Sequence, residues 1–466
     1  MFASLHLITD TGKVMAKGWT KRWNYRGKGH RPSHIEALDV KEDTTFSDKE
    51  WELPPSKSHL IRMIHLCALS KDKHTLTGIT ALGEDPESMA RCLEQLGVTF
   101  TRFEDKLSIQ GPGLTGFLRP PSVLHAGNSG TALRFLMGLA SRTEHLIMID
   151  GDSSLRNRDH QDILNSLNSL GVKCSYGTEQ ERLPVLLQGP WNKYDLSVNT
   201  SKSSQPFSSL LLATEGISQP CTIEISSESV SKRHAQLTMD LMIECGAMIQ
   251  QDGNIVTVQP WESTPPKHWL VPSDASMLAF TALSCVLSRR EITVVNLPTE
   301  KDSIGHEVLL EKLPEIGLQL IGNTLTPSEN YNTVDINLVD ANDLLPPLSA
   351  ILALTGGGTI SGAAHAMFKE SDRIAKTAEM LQQFGIDCIV KNDGITIEGN
   401  QSIEKPTSMV QTFGDHRLQM TALLLATQVG ATVEGPRLHQ VADPSFLDRL
   451  STVPTEVLVK GVQRES

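Results

Sequence analysis

Residues 234–246 read HAQLTMDLMIECG, and residues 373–385 read RIAKTAEMLQQFG. In both segments apolar residues recur at the spacing of one helix face, and a glycine stands where it can close the helix in the left-handed conformation. Segments of the same kind end at Gly97, Gly171 and Gly317, so five such glycines follow one another at intervals of 74, 75, 71 and 68 residues. This regularity predicts an internal repeat of about 70 residues.

A second, more apolar helix is predicted within each interval, for example GTALRFLMGLAS at 130–141 and HRLQMTALLLATQVG at 416–430. Helices that are apolar all round are typical of a protein interior. Strand-like runs follow the helices, as in HLIMIDG at 145–151 and IDCIV at 386–390. We therefore predict a βαβαββ unit that occurs six times, which favours an α/β protein with two domains of three units.

The overall composition excludes several classes of protein. The chain has 466 residues, 39% of them hydrophobic, and a formal net charge of −12. That charge disfavours a nucleic-acid binder, which needs a basic face. No apolar run reaches the about 18 residues of a membrane span. The seven cysteines form no CxxC pair, as is typical of reduced thiols, so we expect a cytoplasmic protein with no nucleic-acid or membrane partner.

Residues 1–32 differ from the rest of the chain in charge. They carry seven lysines and arginines against one acid, Asp10, and they lack the apolar stretch of a secretory signal. A flexible arm, a start assigned too early and a short organelle-targeting segment all remain open. We favour a flexible arm without a catalytic part.

Polar clusters precede several of the apolar helices. They lie at 54–62 (PPSKSHLIR), 127–134 (GNSGTALR), 201–205 (SKSSQ), 369–373 (KESDR) and 415–417 (DHR). Cations and hydroxyls at a helix N-terminus suit a carboxylate or phosphate, because the free N–H groups and the helix dipole already favour an anion. Each cluster alone could be a helix cap, a polar loop or a salt-bridged helix end. Their recurrence at equivalent places in several repeats favours a shared site.

The charges of these clusters indicate the chemistry. Carboxylates stand among the cations. This combination is typical of a site that binds two anionic small molecules and transfers protons during their reaction. No set of histidine, cysteine and carboxylate has metal-ligand spacing, and no GxSxG elbow occurs, so we expect neither metal nor cofactor. The cations are Lys57, Arg62, Arg156 or Arg158, Arg373 and Arg417, and the carboxylates are Asp343 and Glu370.

With PPSKS, GNSGTALR, SSQ, KESDR and DHR in this order, the chain resembles the 5-enolpyruvylshikimate-3-phosphate synthase family from about Ile35 to Phe446. The resemblance implies a two-domain inverse α/β barrel with three βαβαββ repeats in each domain. The chain would cross between the domains near Pro54 and near residues 261–269. The expected parts are a basic arm (1–32), domain I (33–53 plus 266–466) and domain II (54–265).

The resemblance also implies an activity. Members of that family transfer the enolpyruvyl group of phosphoenolpyruvate to the 5-hydroxyl of shikimate 3-phosphate and release phosphate. This step of the shikimate pathway leads to chorismate and the aromatic amino acids, and it needs no metal or cofactor. Catalysis would involve Lys57. Asp343 would accept the proton of the attacking hydroxyl, Lys369 would assist there, and Glu370 would exchange the proton at the methylene carbon.

Two binding sets follow from the same resemblance, and Lys57 and Gln205 belong to both. The residues expected to bind shikimate 3-phosphate are Lys57, Ser58, Arg62, Ser203, Ser204, Gln205, Ser231, Asp343 and Lys369. The residues expected to bind phosphoenolpyruvate are Lys57, Asn128, Gly130, Arg158, Gln205, Arg373 and Arg417. We expect a monomer that binds these two small molecules.

The chain departs from the family pattern at several positions. Arg158 lacks the proline that commonly follows the phosphoenolpyruvate-binding arginine, so Arg156 stays open as the alternative. His234 stands where an aromatic residue is common, and His365 stands where asparagine often contacts the substrate. The stretch 440–446 has no lysine, although many members have one there, which could lower the affinity for phosphoenolpyruvate.

Three alternatives follow. A sister transferase that acts on UDP-N-acetylglucosamine shares the fold, but it typically has Lys-Asn where this chain has Lys-Ser, and it uses a loop cysteine as proton donor. An inactive anion-binding protein is disfavoured because Lys57, Asp343 and Glu370 are all retained. A relative with a different phosphorylated acceptor is kept open by His234 and His365.

Overall fold

The computed structural model of the protein describes residues 34–43, 49–178, 182–226, 228–450 and 454–460. The basic arm predicted at 1–32 lies outside the described residues. Over most of the described part, helices and strands follow the predicted βαβαββ unit. The last unit differs, because after the helix His416–Val429 the described chain forms one strand, two short 3-10 helices and a final strand. No helix among these residues is both long enough and apolar enough to cross a bilayer.

The helices begin and end as follows. The α-helices are α1 (Lys57–Leu69), α2 (Glu84–Gln95), α3 (Gly130–Ala140), α4 (Ser153–Asn157), α5 (Gln161–Ser169), α6 (Gln205–Leu212), α7 (Lys232–Glu244), α8 (Leu278–Ser288), α9 (Glu307–Lys312), α10 (Leu345–Leu354), α11 (Arg373–Gln382) and α12 (His416–Val429). Short 3-10 helices cover Leu114–Gly116, Ala275–Met277, Lys301–Ser303, Leu313–Glu315, Asn342–Leu344, Ala364–Phe368, Leu438–Val441 and Phe446–Arg449.

The strands are shorter than most of the helices. They are β1 (His34–Val40), β2 (Lys49–Trp51), β3 (His74–Thr77), β4 (Thr99–Phe103), β5 (Lys106–Gln110), β6 (Leu124–His125), β7 (Ile147–Asp150), β8 (Lys173–Tyr176), β9 (Val185–Gln188), β10 (Asp195–Val198), β11 (Cys221–Ile225), β12 (Ile249–Asp252), β13 (Ile255–Val258), β14 (His268–Leu270), β15 (Ile292–Val294), β16 (Ile316–Ile321), β17 (Thr324–Tyr331), β18 (Val334–Asn337), β19 (Gly357–Ser361), β20 (Cys388–Lys391), β21 (Gly394–Glu398), β22 (Ala431–Glu434) and β23 (Thr455–Lys460).

One strand order recurs in the four-stranded sheets. In the sheet β6-β7-β9-β8, the first two strands run parallel and the others pair antiparallel. The sheets β10-β11-β13-β12 and β18-β19-β21-β20 have the same order and directions. A parallel pair needs a crossover connection, and α3, α6 and α10 supply it, since each lies between the two parallel strands of its unit.

The remaining units are completed by strands from distant parts of the chain. Strand β14 pairs parallel with β3, and β2 pairs parallel with β15. Strand β1 lies between β22 and β23 and is antiparallel to both, while Val410 forms a parallel bridge to Val433. Strand β1 is therefore built into the last described unit of the chain, and β2 is built into the unit that contains β15.

The buried apolar residues form two separate clusters. One draws on residues 60–271 together with Ile304, and the other on residues 38–53 and 277–450. The chain has the predicted two-domain α/β fold. The domain bounds proposed from the sequence, 54–265 for one domain and 33–53 plus 266–466 for the other, remain a proposal that these two clusters support.

The five repeat glycines have φ values between 75° and 97°, the left-handed region in which an L side chain is strained. This is the helix-closing conformation that the sequence predicts. The unit before Gly317 differs, because α9 ends at Lys312 and a 3-10 helix, Leu313–Glu315, follows it. Pro314 explains the change, since its ring clashes with the carbonyl group four residues earlier and it has no N–H to donate.

The starts of five helices converge between the two clusters. Side chains just before three of them accept hydrogen bonds from backbone N–H groups of the first turn: Ser56 at α1, Ser129 at α3 and Asp415 at α12. Asp372 does the same at α11, and α6 begins directly after the buried Ser204. The polar clusters found in the sequence are therefore the first turns of these helices, brought together by the fold.

Candidate active site

A cavity of about 90 Å³ lies where these helix starts meet. Its lining comes from both hydrophobic halves of the molecule. Asn128 and Arg417 do not line it, but each contacts a residue that does. The predicted site residues in the lining are Lys57, Ser58, Arg62, Gly130, Arg158, Ser203, Ser204, Gln205, Ser231, Asp343, Lys369, Glu370 and Arg373.

A wider cavity of about 600 Å³ adjoins the first. The two share five lining residues: Arg158, Ser203, Gln205, Lys369 and Glu370. The smaller cavity is below the roughly 300–1,000 Å³ of typical ligand pockets, whereas the wider one lies within that range. The wider cavity therefore offers space for an organic ligand directly beside the inner site.

Lys57 begins α1 and points at a carboxylate. Its Nζ atom lies 3.0 Å from Oδ2 of Asp85. Burial opposes a charge at this position, but Asp85, assisted by Asp343 and Glu370, raises the pKa of Lys57 above its ordinary value. Lys57 therefore stays a cation and can hold an anion near the start of its helix.

Arg62 is buried one turn further along α1. It donates from Nε to Oγ1 of Thr238 at 2.7 Å, from Nη1 to the carbonyl of Ser58 at 2.8 Å, and from Nη2 to the carbonyl of His234 at 3.1 Å. These partners are neutral, and burial lowers the pKa of Arg62 to about 9. A buried guanidinium without a carboxylate partner among the described residues favours an incoming anion.

Arg156 and Arg158 face different partners. Arg156 donates from Nε to Oδ1 of Asp150 at 3.0 Å and from Nη2 to the other oxygen of that carboxylate. Arg158 Nη2 lies 3.2 Å from Oδ1 of Asn128 and 3.8 Å from Oε1 of Glu370. Arg158 thus stands in the cavity, and Arg156 does not line it.

Gln205 joins two helix starts. Its Oε1 accepts from Nη1 of Arg134 at 2.6 Å, and its Nε2 donates to Oγ1 of Thr131 at 2.9 Å. A Cβ atom at Gly130 would lie 2.9 Å from Arg134 Nη1 and 3.2 Å from Arg158 Nη1. Glycine therefore lets two guanidinium groups approach the start of α3, where an anion is also favoured by the helix.

Hydroxyl groups line the cavity opposite the carboxylates. Ser203 Oγ accepts from the backbone N–H of Gln205 at 3.2 Å, and Ser204 is buried beside it. Ser231 has φ of 52°, and its Oγ lies 3.5 Å from Nε2 of His365. His365 also accepts at 2.7 Å from Nδ2 of Asn342. These serines carry no charge and can donate to an anionic oxygen.

Arg373 is the centre of a carboxylate cluster. It is 1% exposed and donates to three acids. Its Nη1 lies 2.6 Å from Asp343 Oδ1, its Nη2 lies 2.7 Å from Glu370 Oε2, and its Nε lies 3.0 Å from Asp415 Oδ2. Arg417 adds a second cation, with Nη2 at 3.3 Å from Asp343 Oδ2. Hydrogen bonds of this charge-assisted kind are the stronger ones in proteins.

The cluster fixes the protonation states of its acids. Burial alone would raise the pKa of Asp343, but Arg417 and Arg373 hold it well below its usual range. Burial likewise opposes ionisation of Glu370, yet Arg158 and Arg373 hold its pKa well below its usual range. Burial lowers the pKa of Lys369 in spite of the nearby Asp343. Both acids are therefore ionised, and Lys369 is the cation that loses its proton more readily.

One group of described residues has the spacing of a metal site: Glu370, Asp415 and His416. The guanidinium of Arg373 already donates to both carboxylates of this group. A fixed cation at that place stands where a divalent ion would have to bind, so the group is a carboxylate–arginine cluster.

Sequence reasoning missed several residues of the site. Asp85 pairs with Lys57, Arg134 holds Gln205, and Asn342 holds His365. His306 also lines the cavity. Arg134 lies within the GNSGTALR motif and could have been included on that ground. Asn342 directly precedes the predicted Asp343 and could have been considered with it, whereas Asp85 and His306 approach from distant segments and left no local signal.

The arrangement can hold two anions and can transfer protons to and from their atoms. Cations of α1 and α11, together with Arg158 directly after α4, line one cavity, with two ionised carboxylates and a lysine of lowered pKa among them. A carboxylate can remove a proton from a hydroxyl, and a second acid–base group can serve another atom. Fixed charges that surround a reacting centre can stabilise charge that develops there.

Comparison with known proteins gives consistent matches. The family model described as EPSP synthase (3-phosphoshikimate 1-carboxyvinyltransferase) matches residues 45–450. The 3-phosphoshikimate 1-carboxyvinyltransferase of Methanosarcina mazei is 30% identical over 421 residues, which cover 87% of this chain and 95% of that one. The enzyme of the same name from Methanosphaera stadtmanae is 29% identical over 420 residues, 86% and 96% of the two chains.

Solved structures match over nearly the same extent. The EPSP synthase from Acinetobacter baumannii has a TM-score of 0.73 at 22% identity and covers 91% of this chain and 100% of that one. The enolpyruvyl transferase NikO from Streptomyces tendae has a TM-score of 0.70 at 14% identity, with the same coverage. At these identities the likeness establishes the fold, which both proteins share with this chain.

Proposed function

The chain belongs to the EPSP synthase (3-phosphoshikimate 1-carboxyvinyltransferase) family, and from this we propose how its site carries out the transfer of the enolpyruvyl group. The protein is a transferase that joins phosphoenolpyruvate to the 5-hydroxyl of shikimate 3-phosphate and releases phosphate, a step of the shikimate pathway. The observation that carries the proposal is the cavity in which Lys57, Arg62, Arg158 and Arg373 meet.

We propose that the two substrates divide the cavity between them. Shikimate 3-phosphate would be held by Arg62 together with four serines, Ser58, Ser203, Ser204 and Ser231. This assignment is supported by the neutral partners of the buried Arg62, whose charge leaves it suited to an anion. Hydroxyls around a cation are also common partners of phosphate oxygens.

Phosphoenolpyruvate would lie on the other side, near Asn128 and Gly130. Arg158, Arg373 and Arg417 would bind its carboxylate and phosphate, with Lys57 and Gln205 between the two substrates. A side chain at Gly130 would place its Cβ atom only 2.9–3.2 Å from two guanidinium groups, so glycine supports a close approach of backbone and cations to one anion. This assignment prefers Arg158 over Arg156, whose guanidinium is held by Asp150.

We propose that Asp343 is the base for the 5-hydroxyl. Burial opposes its ionisation, but Arg417 and Arg373 hold its pKa well below the usual range, which makes it a weak base. An anionic substrate would compete for the same guanidinium groups, so Asp343 would gain basicity when phosphoenolpyruvate binds. Lys369, whose pKa is lowered by burial, would assist at the same hydroxyl.

Glu370 would serve the methylene carbon. Attack of the hydroxyl oxygen on C2 and addition of a proton at C3 give a tetrahedral adduct. Loss of a proton from C3 and departure of phosphate then restore the double bond. Glu370 must carry a proton for the first step, although Arg158 and Arg373 keep it ionised in the ligand-free protein. Substrate anions that neutralise Arg158 and Arg373 would raise the pKa of Glu370, so that it can carry the proton that the first step needs.

The test is a coupled assay of phosphate release. We expect phosphate to be released from phosphoenolpyruvate when shikimate 3-phosphate is present, and no release with shikimate or without an acceptor. Absence of release at saturating concentrations of both substrates would overturn the assignment. Release with UDP-N-acetylglucosamine instead would favour the sister activity, although none of the described cysteines lines either cavity.

We also propose that the enzyme works as a monomer in the cytoplasm. Most of the residues expected to bind the two substrates meet at one cavity within a single chain, which supports a site built by one copy. The seven cysteines are free thiols, as in proteins of reducing compartments. Light scattering of the purified protein, with and without substrates, tests the oligomeric state.

A further inference from the structure

Two histidines face each other across the acceptor side of the cavity. His234 lies in α7, three residues after Ser231, and His306 directly precedes α9. The two rings come from distant segments of the chain, yet their centroids are 6.2 Å apart and both residues line the cavity. The fold therefore places two imidazole groups beside the serine hydroxyls that are expected to bind the acceptor.

The hydrogen bonds of His306 determine which nitrogen is open. Its Nδ1 lies 2.7 Å from the carbonyl oxygen of Ser303. A carbonyl can only accept, so Nδ1 carries the proton of the neutral ring. His306 is 6% exposed, and its Nε2 has no hydrogen-bond partner among the described residues. That nitrogen is therefore a buried polar atom whose hydrogen-bonding capacity is unused.

The charges around this pair are mixed. Burial first, and then Arg62 and His306, lower the pKa of His234 well below its ordinary value, with Asp343 acting in the opposite direction. The carboxylate of Asp340 lines the same cavity. The charged groups around the pair include Arg62, Asp340, Asp343, Lys369 and the ion pair Arg233–Glu307, together with Lys301 and Asp302 of the 3-10 helix whose Ser303 contacts His306.

A phosphate ester brings about −1.5 to −2 charges and three acceptor oxygens. At this place it would meet the serine hydroxyls, the guanidinium of Arg62 and one open imidazole nitrogen. An unprotonated nitrogen repels a phosphate oxygen because both are acceptors, whereas a protonated one donates a charge-assisted hydrogen bond. The anion thus favours the imidazolium form of the ring beside it.

We propose that His306 is a specificity-determining residue for the phosphate of the acceptor: it takes up one proton from solvent when the acceptor binds and donates it from Nε2 to a phosphate oxygen. This inference rests on the proposed function. It makes binding of the acceptor pH-dependent, because the complex holds one proton more than its separated partners. Affinity for the acceptor therefore falls as the pH rises, while affinity for phosphoenolpyruvate has no such contribution.

The experiment compares the wild type with His306→Gln. We expect the KM for shikimate 3-phosphate in the wild type to rise with pH between 6.5 and 8.5, with a limiting slope of about tenfold per pH unit. Glutamine presents a neutral N–H donor near the same place, so His306→Gln is expected to flatten this slope. The KM for phosphoenolpyruvate should keep its wild-type pH profile. The exposed His268 gives the control, since His268→Gln should leave both profiles as in the wild type.

Calorimetry supplies a second measurement that does not depend on turnover. Titration of shikimate 3-phosphate in buffers of different ionisation enthalpy should reveal uptake of one proton by the wild type and a smaller number by His306→Gln. Equal uptake and equal KM slopes in both proteins would overturn the inference. If the wild type binds the acceptor without releasing phosphate from phosphoenolpyruvate, the proposed function fails, whereas the calorimetric comparison still decides the role of His306.

Discussion

The Nη1 atom of Arg373 lies 2.6 Å from the Oδ1 atom of Asp343. Arg373, which we propose binds a substrate anion, is therefore held by Asp343, which we propose removes a proton. A substrate anion that pairs with Arg373 must weaken this contact, and the released carboxylate then becomes a better base. Binding and activation are thus linked through one guanidinium, which also donates to Glu370.

Glu370→Gln tests the proposed exchange of the proton at the methylene carbon. Glutamine has nearly the same shape but cannot carry a proton between two atoms, so we expect turnover to fall by about 10²–10⁴-fold. Steady-state rates of phosphate release measure the effect. The matched control is Glu379→Gln on the exposed side of α11, where Glu379 pairs with Lys376, and its turnover should equal that of the wild type. A Glu370→Gln enzyme of near-native rate would remove Glu370 from this role.

Arg158→Gln and Arg156→Gln form a matched pair two residues apart. Arg158 lies in the cavity beside Glu370, whereas Arg156 is held by Asp150. Loss of one charge-assisted hydrogen bond of about 1.5–3 kcal/mol corresponds to roughly a 10–100-fold rise in the KM for phosphoenolpyruvate, and we expect this for Arg158→Gln. Arg156→Gln should change that KM by less than about threefold, because Arg156 lines neither cavity and its guanidinium is held by Asp150.

The outcome of this pair is read from KM and not from turnover alone. A larger effect of Arg156→Gln would reverse the assignment and make Arg156 the substrate-binding arginine. Circular dichroism spectra and melting temperatures of both variants establish that the comparison concerns binding and not folding.

The repeat was predictable because it depends on local chemistry. A glycine that follows an amphipathic helix, such as Gly246, has few other structural uses, and φ of 96° confirms the prediction there. The polar clusters were predictable for the same reason, since helix starts have a short-range signature. The sequence also indicated that they would meet, because they occur at equivalent places in a repeated unit.

The partners of these clusters were not predictable from the sequence. Asp85 reaches Lys57 from another helix, and His306 faces His234 across more than 70 residues of chain. No local pattern marks such pairs, because tertiary packing alone brings them together. Pro314 is an intermediate case. A proline at this position predicts that α9 is disturbed, but it does not predict how far the disturbance extends.

Arg373→Gln should destabilise the protein strongly. The variant leaves the carboxylates of Asp343, Glu370 and Asp415 without their shared buried cation, and breaking a buried pair in this way costs about 3–5 kcal/mol. Urea denaturation at pH 7.5 measures the free energy of unfolding. The control is Lys376→Gln in the same helix, whose exposed pair with Glu379 should contribute less than about 1 kcal/mol. Equal losses in the two variants would mean that the cluster does not stabilise the fold.

The last prediction concerns His65, which lies in the core of the first cluster at 1% exposure. Both of its ring nitrogens lack a hydrogen-bond partner among the described residues, and its ring stands edge-on to Phe135 with centroids 5.9 Å apart. Burial lowers the pKa of His65 to about 3. In the unfolded chain a histidine titrates near pH 6.5, as in model peptides.

Between these two values the unfolded state binds more protons than the folded state, so stability rises with pH and is lost as the pH falls from about 6.5 towards about 3. His65→Leu removes this group and an unpartnered buried polar ring, at similar volume. We expect the variant to lose stability less steeply between pH 6.5 and 4.5, by up to about 1.4 kcal/mol per pH unit. Urea denaturation at a series of pH values, with the exposed His268→Gln as control, measures the slopes. Parallel curves for His65→Leu and the wild type would mean that His65 is not buried as the neutral imidazole.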